Sequence, residues 1–395
     1  MKFSHFSDVH LGSWSSSPEL RDMSLRAFEK AVKVSVSEGA DFIVISGDLF
    51  DTPMPAYDIL AASARILKEC RDAGVQVYVV PGSHDYSPSD KTFITVLENA
   101  GLLVNVAKIE ETETGITLAF TVDEKTGAKI TGVMGKAGAL ERDYFRRLNR
   151  EILEKEGGYK IFLFHSAIEE FRPKHMKDMA AVPMAMLPKN FAYYAAGHIH
   201  VPSQKGGIIF PGVLFPTEVP EMEAYDSGIQ IVDTENGSKR IPIKLFDVQT
   251  VSAKAGGRRP SELEKDIIAA LDGVNLRGRL LIAKASGTLE SGNPSDVNFA
   301  MIRDAALSKG AFSVKKDFTA VSSKDYKETE DTLSLSIETI EQNVMGEFCV
   351  SNTFPDEKEM ARNIMYALND EKQEGETAHS YDERIRENML RVLGL

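Results

Sequence analysis

Five times in the first 200 residues an apolar run ends in a histidine or aspartate cluster. KFSHFSD (2–8) leads into SDVHLG (7–12), DFIVIS (41–46) into SGDLFD (46–51), and VQVYVV (75–80) into PGSHD (81–85). YKIFLFH (159–165) then overlaps FLFHS (162–166), and AYYAAG (192–197) overlaps AAGHIH (195–200). Short apolar runs bounded by turn residues read as buried strands. Between the first three lie two helical patterns, 19–39 and 56–74, each ending at a glycine, Gly39 and Gly74. That is a βαβαβ unit, and α/β sheets carry their chemistry at the carboxyl ends of the strands. A parallel sheet would therefore bring Asp8, His10, Asp48, His84, His165, His198 and His200 to one edge.

Five of those seven residues are histidines, from only eight in the chain. Imidazoles and carboxylates without cysteine suit borderline divalent metals such as Mn²⁺, Fe²⁺ or Zn²⁺. One Asp-x-His or Gly-Asp is worthless as a signal, and a single buried histidine is more often packing than a ligand. The ordered set, each member behind a strand, reads as a metal site. A glycine before Asp48, Ser83 and His198 lets the backbone turn and present a side chain at the rim. His5 lies within the first strand and reads as structural, and His175 and His379 as surface residues.

Further along, ITLAFTV (116–122), AKITGVM (128–134), GIQIVD (228–233) and IPIKLF (241–246) read as strands. Their density after residue 190 suggests a second sheet packed on the first. AKAGGRRPSE (253–262) reads as a turn, followed by a helix (261–272), a strand (279–287) and a helix (295–308), a small α/β unit. From about residue 331 the chain reads as helical and acidic, with TIEQNVMGEF (339–348), an exposed loop (369–379) and SYDERIRENMLRVLGL (380–395).

The net charge of −13 argues against blanket binding to nucleic acid, but it is uneven. Residues 251–320 hold 11 basic and 8 acidic residues, a net +3, while residues 321–395 hold 8 and 17, a net −9. Cys70 and Cys349, far apart and without an export signal ahead of them, read as ordinary apolar side chains in a reducing cytoplasm. No apolar run approaches the roughly 20 residues of a membrane span.

The set D-x-H, GD-x-x-D, G-x-H-D, H and G-H-x-H resembles the calcineurin-like metallophosphoesterases. FSDVHLG, VISGDLFD, VYVVPGSHD, YYAAGHIHVP and IIFPGVLFP (208–216) resemble one branch, the SbcD / Mre-eleven nucleases of DNA double-strand-break repair. The motifs cover residues 1–235; beyond 250 the likeness is one of layout. The resemblance implies a four-layer α-β-β-α sandwich (1–247), a small α/β DNA-binding capping domain (248–335) and a helical tail (336–395) that binds an ATPase partner. It also implies two Mn²⁺ ions and two-metal hydrolysis of DNA by a double-strand exonuclease and single-strand or hairpin endonuclease. One ion falls to Asp8, His10, Asp48 and His200, the other to Asp48, His165, His198 and Ser83. His84 would face the scissile phosphate as general acid or charge stabiliser, with Asp85 orienting it.

Two positions depart from the family pattern. Ser83 stands where the family has Asn, and Asp51, found in bacterial-type members, stands where others have His. The first would weaken the second metal, and the second would shape or weaken exonuclease action. The loop SWSSSPELRD (13–22) also lacks the expected Tyr and Gln.

There is no Walker A motif; GVMGKAG (132–138) lacks the spacing and the Ser/Thr. The resemblance therefore implies a separate SMC-like ATPase of the SbcC / Rad-fifty type, DNA ends as substrate, a homodimer formed through helices 56–74 and 91–100, and a cytoplasmic, nucleoid-associated protein. Arg258, Arg259, Arg277, Arg279 and Lys284 are the candidate DNA contacts. In the tail, Ile340, Val344 and Phe348, and Tyr381, Ile385, Met389 and Val392, recur at helical spacing as a docking face or as internal packing. Two other classes compete: a phosphodiesterase for small molecules, which would need neither cap nor tail, and a non-catalytic DNA-end scaffold.

Overall fold

The run FIVIS at Phe42–Ser46 is buried at every position, as a strand covered on both faces requires. It pairs in parallel with Lys2–Phe6 on one side and Gln76–Val80 on the other. Its side chains alternate with the pleat. Phe42 and Val44 join Phe3, Tyr78, Val80, Ile161 and Leu163 in one core. Ile43 and Ile45 join Phe28, Leu67 and Leu97 in another, under the helices Pro18–Ser37, Tyr57–Asp72 and Phe93–Asn99.

The computed structural model describes residues 1–87, 92–112, 115–173, 176, 178–325, 357–368 and 378–393. They fall into two units, Met1–Ser323 and Lys324–Leu395. In the first unit, a second six-stranded sheet places Lys160–His165 at its centre, parallel to Tyr193–Gly197 and Lys129–Val133. Its inner face completes the core between the sheets, while Phe162 and Phe164 point the other way, to Phe145 and Leu153 on the helices Arg142–Arg147 and Arg150–Lys155. The layers are therefore α-β-β-α.

Two expectations about strands are corrected. The segment 116–122 is two strands: Gly115–Leu118 pairs with Ile109–Thr112, and Thr121–Val122 joins the second sheet. The ladder breaks where Ala119 donates its N–H to the Lys108 carbonyl and Phe120 stacks on Phe191 at 6.0 Å. Gly228–Asp233 belongs to the first sheet, antiparallel to Lys2–Phe6. Ile229 and Ile231 face the helical core and Val232 the inter-sheet core, so the strand suits a covered position.

The strands Asp247–Lys254, Arg279–Leu289 and Ser313–Ser323 form a separate parallel sheet, backed by the helices Pro260–Ala269 and Phe299–Ser308. Leu280 and Ile282 of its central strand reach into the core of the first sheet's helical side.

In the second unit, the helices Glu357–Leu368 and Ala378–Leu393 lie against each other. Tyr381, Ile385, Met389 and Val392 line a half-buried stripe of the latter. The expected helix at 339–348, with Ile340, Val344 and Phe348, lies outside the described residues, as do Cys349, His175 and the first residue of the expected helix 91–100. No helix among the described residues is long and apolar enough to cross a membrane.

Candidate metal centre

All five clusters converge at the carboxyl ends of the strands Lys2–Phe6, Phe42–Ser46, Gln76–Val80, Lys160–His165 and Tyr193–Gly197. The loops are laced together: His10 N–H donates to the Asp48 carbonyl at 2.9 Å, and His198 N–H to Asp8 Oδ1 at 3.0 Å. His84 N–H donates to Asp48 Oδ1 at 2.8 Å. Asp8, His10, Asp48 and His198 all hold positive φ, between 47° and 91°. Non-glycine residues adopt that region at a cost that persists only where the surroundings impose it, as at functional sites.

Two of the glycines serve close approach. Gly47 has φ +88°, and a Cβ there would lie 2.1 Å from His165 Nδ1. At Gly82 a Cβ would lie 2.1 Å from Asp48 Oδ1, so this glycine makes room for a carboxylate and not for a left-handed turn.

Hydrogen bonds decide which ring nitrogens remain free. His10 Nδ1 meets Asp51 Oδ1 at 3.2 Å, and His200 Nδ1 meets Glu221 Oε1 at 2.6 Å. Both Nδ1 atoms face pure acceptors and so carry protons, which turns His10 Nε2 and His200 Nε2 toward each other at 3.3 Å. His165 donates from Nδ1 to the Ser46 carbonyl at 3.0 Å, and its Nε2 faces His198 Nδ1 at 3.3 Å. Ring nitrogens that face each other at this distance share a proton or hold a cation between them. Ligands about 2.1 Å from one ion sit roughly 3.0–3.4 Å from each other. The donor set therefore fits divalent cations, one at each imidazole pair. Asp48 Oδ2 lies 3.6 Å from His10 Nε2 and 3.2 Å from His165 Nε2, within reach of both pairs, and Asp8 Oδ1 lies 3.7 Å from His200 Nε2.

The electrostatics make the site a seat for positive charge: against burial, the Asp48 carboxylate lifts His165 to about 10. Burial alone would raise the Asp48 carboxyl, but the charge of His165 and its hydrogen bond hold it far below the carboxylate range. Burial also lowers His198, helped by repulsion from His165, to about 4. Against burial, the Glu221 hydrogen bond lifts His200 to about 9, and Glu221 itself falls to about 2 despite its own burial.

The structure reassigns two residues, Asp85 and Asp51, and adds a third. Asp85 does not orient His84: its buried carboxylate accepts the backbone N–H groups of Gly82 at 3.0 Å, Leu49 at 3.0 Å and Phe50 at 2.9 Å, tying two site loops together. His84 is oriented by Asp51, whose backbone carbonyl accepts from Nδ1 at 2.8 Å. Asp51 therefore supports both His10 and His84. The third is Glu221, which the sequence reading missed. Its other oxygen accepts the N–H groups of Thr217 at 2.8 Å and Glu218 at 3.2 Å, capping the helix Val219–Ala224. The only signal for it was TEVPE (217–221), an acid three residues after the cap position, which reads as a helix start.

Ser83 lines a cavity of about 730 Å³ together with Asp51, His84, Tyr86, Lys136, His165 and His198. His5 is structural, as expected: Tyr193 Oη and Ser46 Oγ hold its ring at 3.0 and 2.7 Å, and burial lowers it to about 3. Cys70 is buried, its thiol pushed up to about 12 by desolvation. Of the candidate DNA contacts, Arg258 pairs with Asp266 at 2.7 Å, and Lys284 with Glu223 at 2.6 Å and Asp317 at 3.4 Å. Arg279 reaches Gln249 at 3.3 Å, while Arg259 and Arg277 are exposed. Trp14, in the divergent loop, donates to the Pro216 carbonyl at 2.7 Å and lies under Lys315 of the small sheet at 4.4 Å.

Residues 1–202 match the family described as Calcineurin-like phosphoesterase. The chain is similar to the DNA double-strand break repair protein Mre11 of Saccharolobus solfataricus, 25% identical over 68% of this chain and 69% of that protein. The protein of the same name from Thermoplasma acidophilum is 26% identical over 68% of this chain and 75% of its own length. That from Archaeoglobus fulgidus is 27% identical over 51% of this chain and 46% of its length, so the matched share of these relatives ranges from under half to three quarters.

Proposed function

The chain belongs to the calcineurin-like phosphoesterase family, on the Mre11 / SbcD branch, and from that premise we propose that it is a Mn²⁺-dependent DNA nuclease of double-strand-break repair. It is a metal-dependent phosphodiesterase; DNA as substrate is supported by the repair role for which its relatives are named and by the net +3 of residues 251–320. The observation that carries the reading is the pair of imidazole couples, each with facing nitrogens at 3.3 Å, linked by Asp48.

In this reading Asp8, His10, Asp48 and His200 hold one ion, and Asp48, His165, His198 and Ser83 the other. When bound, the two ions supply Lewis acidity and charge neutralisation at the phosphorus. Asp8 and Asp48 offset that positive charge and fix the spacing of the couples. His84, anchored through Nδ1, keeps Nε2 for the substrate and holds a proton there for the leaving oxygen. Asp51 fixes the ring, so the proton is delivered from one direction. Arg259 and Arg277, without ion pairs among the described residues, are better placed to meet DNA phosphates than Arg258, Arg279 or Lys284. The tail, 336–395, binds an SMC-like ATPase of the SbcC / Rad-fifty type. Two copies associate through the helical layer that includes Tyr57–Asp72, where Met54 and Tyr57 are 77% and 87% exposed.

The test compares Mn²⁺-dependent cleavage of blunt and hairpin duplex DNA with that of a small chromogenic phosphodiester. Cleavage of DNA with the higher kcat/KM is the expected result. Turnover of the small diester with intact DNA would instead favour a small-molecule phosphodiesterase, and DNA binding with no turnover of either a scaffold.

A further inference from the structure

Lys136 sits on the wall of the 730 Å³ cavity that the metal-centre residues share, and no carboxylate neutralises it among the described residues. Its Nζ lies 2.5 Å from Tyr144 Oη, 4.2 Å from the centre of the Tyr144 ring and 5.7 Å from that of Tyr86. Of the two acids of the wall, Glu141 is buried, with one oxygen accepting from Ser166 Oγ at 2.7 Å and the other from the Lys136 backbone N–H at 3.3 Å. The other acid of the wall, Asp51, has its carboxylate on His10 at 3.2 Å. A partly buried ammonium that rests on a phenol and two aromatic faces is positioned but not charge-compensated. Lys33, Arg65 and Lys155, by contrast, each have a carboxylate partner within 2.8 Å. The backbone supports the placement: Gly135, next to Lys136, donates to the Pro81 carbonyl at 2.9 Å, fixing this segment against the turn that carries Ser83 and His84.

We propose that Lys136 is an anion subsite for a second phosphate, the one adjoining the phosphate at the metal centre, with the Tyr86 ring beside it offering a stacking face to the intervening nucleoside. The inference rests on the phosphodiesterase reading of the site and deepens it: the preferred substrate carries at least two phosphates in sequence. A free nucleoside diester lacks the second charge and gains nothing from Lys136.

Calorimetric titration of the Mn²⁺-loaded protein with thymidine 3′,5′-bisphosphate and with thymidine 5′-monophosphate tests it. The parent should bind the bisphosphate at least tenfold more tightly. Lys136→Met should lose that preference, and Lys136→Arg should keep most of it. Where Lys136→Met lowers the melting midpoint, Lys136→Gln takes its place, keeping a polar chain without the charge. A preference that survives both neutral variants, or is absent in the parent, overturns the subsite. A Lys136-dependent preference in a protein that cleaves no DNA keeps the subsite and sinks the nuclease reading.

Discussion

His10 and His200 each lean on a carboxylate, Asp51 at 3.2 Å and Glu221 at 2.6 Å, whereas His165 leans on the Ser46 carbonyl at 3.0 Å. Behind that carbonyl the support continues through neutral groups, since Ser46 Oγ meets the buried His5 ring at 2.7 Å. His198 has its backbone N–H tied to Asp8 at 3.0 Å, and apart from His165 no side chain or carbonyl holds its ring among the described residues. The fourth ligand proposed on that side is a serine hydroxyl, shorter and a weaker donor than the carboxamide it replaces. A carboxylate behind an imidazole fixes its tautomer and raises its basicity, while a carbonyl does the first with less of the second. The two halves use the same ring chemistry, yet the Asp8–His10–His200 half should hold its ion more tightly than the His165–His198 half.

The largest effect should come from removing what the halves share. Asp48→Ala is expected to abolish Mn²⁺-dependent hydrolysis and to reduce bound metal measured by atomic spectroscopy. Retained activity would mean the halves work independently. His84→Ala should lower kcat by about 10²–10⁴ with metal content unchanged, the usual worth of a general acid. A parallel loss of metal would make His84 a ligand, which its bond to the Asp51 carbonyl argues against.

The next effect separates the halves. Glu221→Gln keeps the shape of the side chain but removes its charge, and should weaken Mn²⁺ on the carboxylate-braced half by about 10–100-fold. Ser83→Asn should act only on the other half, lowering the Mn²⁺ concentration for half-maximal activity several-fold. Superimposable Mn²⁺ titrations of Ser83→Asn and the parent would make residue 83 a turn residue only.

The last effect concerns the neutral support and is read in stability, not in metal binding or turnover. His5 titrates near 6.5 when unfolded and near 3 in the fold, because burial disfavours its charge. Between those values the unfolded chain binds the extra proton, so stability falls as pH drops from 6.5 towards 3, by about 1.4 kcal/mol per pH unit at most. His5→Gln should flatten that acid limb in denaturant melts. An unchanged limb would place the acid sensitivity elsewhere.

The motifs at Asp8, His10, Asp48, His84, His165, His198 and His200 were legible because each follows its strand directly. Local sequence fixes both the strand and the ligand, and parallel pairing does the rest. The supports were not, because they come from elsewhere in the chain. Glu221 is 21 residues from His200 and wears the pattern of a helix cap. Asp85 sits beside His84 in sequence, yet its carboxylate turns to the Leu49 and Phe50 amides of another loop. The return of Gly228–Asp233 to the first sheet was hidden for a similar reason: an apolar run shows that a strand is covered, not which sheet covers it.

The unequal bracing of the two imidazole couples is tested most directly by Mn²⁺ binding isotherms of the parent, Glu221→Gln and Ser83→Asn proteins, taken side by side. The account predicts two classes of site in the parent, with Glu221→Gln loosening the tighter class and Ser83→Asn tightening the weaker one. A single class in the parent, or both substitutions moving the same class, would contradict it.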